Sequence, residues 1–150
     1  VCRLNERSFI DSIVNIASNA RDAGAKNFTI VVEAVDLWPH NPVLKSVDLP
    51  SGRYGLISFI DDGSGMAPEI VANAFNPFFS TKEQLGRGLG LSFLYNFVRS
   101  ANGAVEIKSA PGSGSKLMIY LPITAEREPE QIKGTHYDVD ASEKVSNEFK

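Results

Sequence analysis

The stretch Asp61-Asp62-Gly63-Ser64-Gly65-Met66 limits what this chain can become more than any other part of it. Residues 54–60, just before it, are dense in aromatic and branched side chains and predict a short strand. From Ile60 to Asp61 the sequence switches abruptly from apolar to acidic. A strand that ends in carboxylates and glycines holds an acceptor still where a ligand can come close. The glycines let the backbone approach that ligand and take positive φ. Asp-Gly and Ser-Gly are also common turn dipeptides, so the motif alone reads equally well as a turn. The rest of the chain decides between these two readings.

Residues 7–23 predict a helix, capped by Asn5 and stopped by Gly24. Phe9, Ile10, Ile13, Val14, Ile16, Ala17 and Ala20 recur at spacings of three and four and make one broad apolar face. Ser12, Asn15, Asn19 and Asp22 make a second stripe. A solvated face would favour Lys, Glu or Arg over two asparagines of poorer helix propensity. One turn apart, Asn15 and Asn19 can present amide oxygens side by side. Neutral oxygens suit Mg²⁺, which also keeps water and phosphate oxygens.

Residues 27–34 alternate as a strand does, with the strand into Asp61 expected antiparallel to them. Between the two, residues 36–53 hold three prolines and read as a long connection, with Trp38 expected to pin part of it to the core. Pro68 opens a short helix through about Phe75. After an irregular aromatic stretch, Gly86-Arg87-Gly88-Leu89-Gly90-Leu91 feeds a helix that runs to Ala101, with Leu91, Leu94, Val98 and Ala101 on its buried side. Glycines that lead into a helix leave free backbone N–H groups and a dipole aimed at an anion, which is a phosphate cradle. No strand precedes these glycines, as a dinucleotide fingerprint requires, and no Gly-Lys-Ser/Thr marks a lysine-bearing phosphate loop. Residues 104–109 and 115–121 are strands joined by Pro111-Gly112-Ser113-Gly114, a hairpin signal.

Charge bears on partners. The net charge of the 150 residues is −3, and residues 126–150, with seven acids and four bases, carry all of it. No basic block is present, which argues against nucleic-acid binding through phosphates. Residues 124–150 read as a polar acidic tail after a single domain spanning 1–123. With one cysteine, Cys2, no internal disulfide or cysteine metal cluster can form, and a reducing compartment fits. No apolar run reaches the ~18–20 residues of a membrane helix, and no signal peptide opens the sequence. The expectation is a cytoplasmic domain without membrane contact of its own.

Five motifs in order carry a resemblance. They are Asn15-Ile-Ala-Ser-Asn19-Ala-Arg-Asp22-Ala-Gly24, then Asp61 to Met66, then Phe75-Asn-Pro-Phe78-Phe79-Ser-Thr-Lys82, then Gly86 to Leu91. Pro111-Gly112-Ser-Gly114-Ser115 closes the set, with Tyr120-Leu121-Pro122 beyond it. Residues 1–123 resemble the catalytic ATP-binding domain of sensor histidine kinases, a fold shared with gyrase, mismatch-repair and chaperone ATPases. The resemblance implies an α/β two-layer sandwich: a mixed, largely antiparallel sheet of about five strands with three helices on one face, Val1 to Leu4 being the end of a strand. It implies that Asp61 accepts the adenine amino group, that Gly63, Gly65 and Met66 shape the base pocket, and that Ser115 assists through water. Asn19 would bind Mg²⁺ and Asn15 would support the metal or the phosphates, with Asp22 on the same helix. Phe79, Thr81 and Lys82 would belong to a lid, Lys82 reaching toward phosphate. Gly86, Arg87, Gly88, Leu89, Gly90 and Leu91 would hold the triphosphate. Asn15, Asn19 and Lys82 would be the catalytic set.

Some positions depart from the family's pattern. Asp22 stands where many membrane-bound kinases carry a base, Arg87 where Thr is frequent, Ser115 where Thr is usual and Asn76 where Glu is common. Neither His40 nor His136 sits in the motif of a phospho-accepting histidine. The implied function is therefore transfer of the γ-phosphoryl of ATP to a histidine on a dimerisation domain outside this sequence, in cis or in a dimer partner. A response regulator receiver domain would then take the phosphoryl group. The alternatives are a clamp ATPase of the mismatch-repair or gyrase type, an ATP-sensing module without turnover, and a scaffold with an empty pocket, which the intact glycines disfavour.

Overall fold

A computed structural model describes residues 6–79 and 90–123. In chain order the elements are α1 (Glu6–Asp22), β1 (Phe28–Leu37), α2 (Pro42–Val47), β2 (Gly52–Asp61), α3 (Pro68–Asn73), α4 (Gly90–Ser100), β3 (Ala104–Ser109) and β4 (Ser115–Pro122). The strands form one sheet in the order β1-β2-β4-β3, each neighbour antiparallel. The expected α/β sandwich with a largely antiparallel sheet is present, with four strands among the described residues instead of about five. The expected strand at 1–4 lies outside those residues.

Strand alternation sends successive side chains to opposite faces, and each face has its own core. Phe59, Leu117, Ile119 and Val105 on one side pack with Ile16 of α1 and with Leu94 and Val98 of α4. Phe9 stacks on Phe97, ring centroids 6.1 Å apart, which joins the two helices. Just after α3, Phe75 tilts against Tyr95 of α4 at 5.2 Å. On the other side Tyr54, Leu56, Met118 and Tyr120 pack with Leu37, Val47 and Leu49. Burial pushes the Tyr54 phenol above its ordinary pKa, and its hydroxyl donates to the Pro50 carbonyl at 2.7 Å. Burial, with the nearby Glu106 carboxylate adding to it, does the same to Tyr120.

Three expectations need correction. The connection 36–53 holds the helix α2, which covers the sheet face opposite α1 and α4. Asn41 caps it, its Oδ1 accepting from Val43 N at 3.0 Å, and Pro42 occupies the first turn, where no amide hydrogen is needed. Trp38 does not pin this segment: it is 69% exposed, and Val43, Leu44 and Val47 supply the anchor. The apolar face of α1 is narrower than its periodicity suggests. Ile16 and Ala20 are buried, whereas Ile10 and Val14 are exposed, because α1 leans on α4 and, among the described residues, β1 is left largely exposed.

The turn after α4 positions the last two strands. Asn102 takes the left-handed conformation (φ 57°) and Gly103 N–H closes on the Val98 carbonyl at 2.9 Å. That turn delivers β3 beside β4, and the hairpin between them reaches the end of the sheet where β2 terminates at Asp61.

Candidate functional site

Asp61, Ser115 and Ser109 stand in register across β2, β4 and β3, at one end of the sheet and on the face that carries α1 and α4. Asp61 uses Oδ1 to accept the Gly63 N–H at 2.9 Å, which folds the loop back on the strand end. Its Oδ2 has no donor among the described residues and remains a negatively charged acceptor. Ser109 was not singled out from sequence, yet its hydroxyl joins three segments. It accepts from Met66 N at 2.8 Å, donates to the Gly114 carbonyl at 2.8 Å, and lies 3.0 Å from Ser115 Oγ. The signal that would have found it is the register of the hairpin, which places Ser109 opposite Ser115.

Glycines allow the two loops to touch through backbone. Gly65 has φ +67°, and a Cβ there would run into the Ala110 carbonyl oxygen and stand 3.0 Å from that of Gly114. Gly114, at φ +70°, leaves no room for a Cβ against the Asp61 carbonyl oxygen. The Ser64 carbonyl accepts from Gly112 N at 2.7 Å across the same seam. On the other flank Ser64 N donates to the Ala23 carbonyl at 2.9 Å. Asp62 completes this flank: its Oδ1 accepts from Lys26 N at 2.8 Å and Asn27 N at 2.9 Å, and its Oδ2 from Asn27 Nδ2 at 2.8 Å. Hydrogen bonds from the Asn27 backbone and then its side chain hold the Asp62 carboxyl below its usual range. Asp62 thus ties the loop after α1 to the loop after β2.

The polar stripe of α1 is not a solvated face. Ser12 is buried and Asn15 and Asn19 are half-buried. The Asn15 amide lies against Gly90, the first residue of α4, where a Cβ would collide with it. Asn15 therefore stands beside the N-terminal turn of α4, and Asn19 follows it one turn later on α1. Asp22, by contrast, closes α1 at the surface, its carboxylate 3.2 Å from the Arg21 guanidinium. Leu91 belongs to the core between α4 and the sheet. Phe79 is half-buried, while Phe78 before it is 79% exposed at φ 64°. Thr81, Lys82, Gly86, Arg87, Gly88 and Leu89 lie outside the described residues. A shallow concavity of about 390 Å³ opens at this sheet end, lined by Asp61, Ser109 and Ser115 together with Ile60, Lys108 and Lys116.

Among the described residues no three His, Cys, Asp or Glu side chains converge. A metal here would be held by amide oxygens and by the oxygens of its ligand, which is the donor set that Asn15 and Asn19 offer. No described helix is long and apolar enough to cross a membrane.

Comparison with known proteins bears directly on this geometry. The family described as histidine kinase-, DNA gyrase B-, and HSP90-like ATPase matches residues 5–125. This chain belongs to that family. It is 34% identical over 111 residues to the sensor kinase CckA of Brucella abortus (strain 2308), covering 73% of this chain and 12% of that protein. To the sensor histidine kinase ZraS of Klebsiella oxytoca it is 40% identical over 75 residues, 50% of this chain and 16% of that protein. The chain thus spans less than a fifth of either relative. A solved structure of full-length ShkA in complex with AMPPNP superposes at a TM-score of 0.54 with 23% identity, covering 77% of this chain and 21% of that one. The mycobacterial sensor histidine kinase MprB gives 0.54 with 22% identity over 77% of this chain and 70% of that one. These two likenesses carry the fold, and the ATPase family and the kinase relatives carry the class.

Proposed function

We propose that this domain binds Mg-ATP between the α1 asparagines and the Asp61 row and passes the γ-phosphoryl group to a histidine on a separate dimerisation domain. The observation that carries the reading is the half-used Asp61 carboxylate. Oδ1 is committed to Gly63 N–H, while Oδ2, with no donor among the described residues, can accept from a donor such as the exocyclic amine of adenine. Gly63, Gly65 and Gly114 let the loops around Asp61 close on one another through backbone, and Met66 is fixed beside them through Ser109. Gly90, the first residue of α4, would receive the phosphates; Gly86, Gly88 and Lys82, which lie outside the described residues, are the other phosphate contacts of this reading.

Asn19 offers its amide oxygen to magnesium, and Asn15 supports the metal through its amide oxygen or donates its amide N–H to the phosphates. Magnesium, when bound, neutralises charge on the phosphates. The acceptor imidazole nitrogen forms the new N–P bond while the bond from the γ-phosphorus to the bridging oxygen breaks; ADP leaves and the imidazole gives up its proton. The domain's part is to position the nucleotide and hold it away from water. An aspartate of a response regulator receiver domain is the next acceptor. The sensor kinase relatives support this partner class.

What separates a kinase from a clamp ATPase is Asn15. A glutamate at this position, one turn before Asn19, would activate water; a carboxamide has no useful basic site near neutral pH. General-base help is worth about 10²–10⁴-fold, so this chain should release phosphate from ATP very slowly. Phosphate release by the wild type and by Asn15→Glu tests the assignment. The kinase reading expects a slow wild type and a faster variant. Fast release by the wild type that Asn15→Ala leaves unchanged would favour the clamp.

A further inference from the structure

The hydrogen-bond count at Ser109 fixes more than a contact. A serine hydroxyl has one hydrogen and two lone pairs. The Gly114 carbonyl can only accept, and at 2.8 Å from Ser109 Oγ it must be taking that hydrogen; otherwise two oxygens would face each other with none between. Met66 N can only donate, and it fills one Ser109 lone pair at 2.8 Å. The remaining neighbour, Ser115 Oγ at 3.0 Å, must then be the donor. Ser115 has no hydrogen left for anything else, and what it shows a ligand is lone pairs alone. Beside it in register stands Asp61 Oδ2, also an acceptor.

We propose that Ser109 is a specificity-determining positioning residue: by claiming the Ser115 hydrogen it makes the Asp61–Ser115 edge acceptor-only, so that the site admits a base with an amine at the six position and rejects one with a carbonyl there. This rests on the reading that a purine meets Asp61. Adenine offers an amine to that edge, which either acceptor can take. Hypoxanthine and guanine offer a carbonyl oxygen, which finds no donor on Asp61 or Ser115. Without Ser109 Oγ, the Ser115 hydroxyl is free to rotate and donate, and the edge gains the one donor a carbonyl needs. Ser109 touches no base itself and acts through Ser115 and Met66.

The test is calorimetric titration of the 150-residue chain with Mg-ATP and Mg-ITP, whose bases differ at the six position and in the proton on N1. A merely structural role for Ser109 would weaken both nucleotides alike. The proposal expects Ser109→Ala to lower the preference for ATP over ITP by about three- to tenfold, the range of one net hydrogen bond. Ser109→Ala combined with Ser115→Ala should restore the wild-type preference, because the freed donor is gone. Ser109→Thr should keep it throughout. If Ser109→Ala does not fold, Ser109→Cys, which keeps the volume but accepts poorly, should still lower the ratio. A ratio unchanged in the single variant, or equally lowered in the double variant, overturns the proposal. Asp61→Ala in the same titration keeps the two readings apart: if it leaves ATP affinity intact, the purine assignment itself has failed.

Discussion

Replacing Gly65 by alanine tests whether the seam between the Asp61 loop and the β3–β4 hairpin is built as described. Two costs add. The left-handed φ of +67° is unfavourable for a residue with a Cβ, by about 1–2 kcal/mol. The new methyl group also meets the Ala110 carbonyl oxygen and lies 3.0 Å from that of Gly114, in backbone that the hydrogen bond from Gly112 N to the Ser64 carbonyl helps hold in place. Overpacking of this kind costs about 1–3 kcal/mol. The sum is about 2–5 kcal/mol. Gly112 is the internal control: its φ is +77°, but a Cβ there meets nothing within 4 Å, so Gly112→Ala bears the first cost alone. Urea unfolding at constant m-value should therefore rank Gly65→Ala below Gly112→Ala by about 1–3 kcal/mol. Because Met66 and Asp61 flank the displaced backbone, ATP affinity should fall in the first variant and hold in the second. Equal losses of stability in the two would refute the close approach.

Leu94, fully buried between α4 and the sheet, should cost about 2–5 kcal/mol when cut to alanine, read as a drop in the urea midpoint. Asp62 should contribute an acid-sensitive part of stability. Its folded-state pKa lies below the ordinary 3.8, so its contribution is complete above that value and is lost as the pH falls through the lowered one. Asp62→Asn should flatten the pH dependence of the urea midpoint in that acid range while lowering stability at neutral pH. The hydrolysis contrast between the wild type and Asn15→Glu, a gain of up to about 10²–10⁴-fold, is read by phosphate release.

Strand and helix periodicity made most of the fold legible. β1 alternates in sequence, α4 repeats its apolar residues at three and four, and Gly24, Asn102 and Gly112 stand at turns after α1, after α4 and between β3 and β4. The elements that stayed hidden did so for physical reasons. Six residues are too few to show a helical period, so α2 went unread although Asn41-Pro42 is a cap followed by a first-turn proline. Burial of Trp38 was inferred from residue type, but α2 reached the core first. Ile10 and Val14 follow the apolar period of α1, yet periodicity says nothing about which neighbour arrives, and among the described residues β1 stays largely exposed. In the site, Asp61, the glycines and the asparagine pair were visible as types in order. Ser109 was not, because a serine at a strand end carries no signal until the hairpin register sets it against Ser115 and Met66.

The central claim is that Asp61 anchors the base of a bound nucleotide. Its most direct test is the affinity of Asp61→Ala for ATP and for ADP, measured by calorimetry beside the wild type, with circular dichroism to confirm the fold. A hydrogen bond to an ionised partner is worth about 1.5–3 kcal/mol, so both nucleotides should bind roughly 10- to 150-fold more weakly. The two losses should match, because the base is common to both. A folded Asp61→Ala chain that binds ATP as tightly as the wild type would contradict the account.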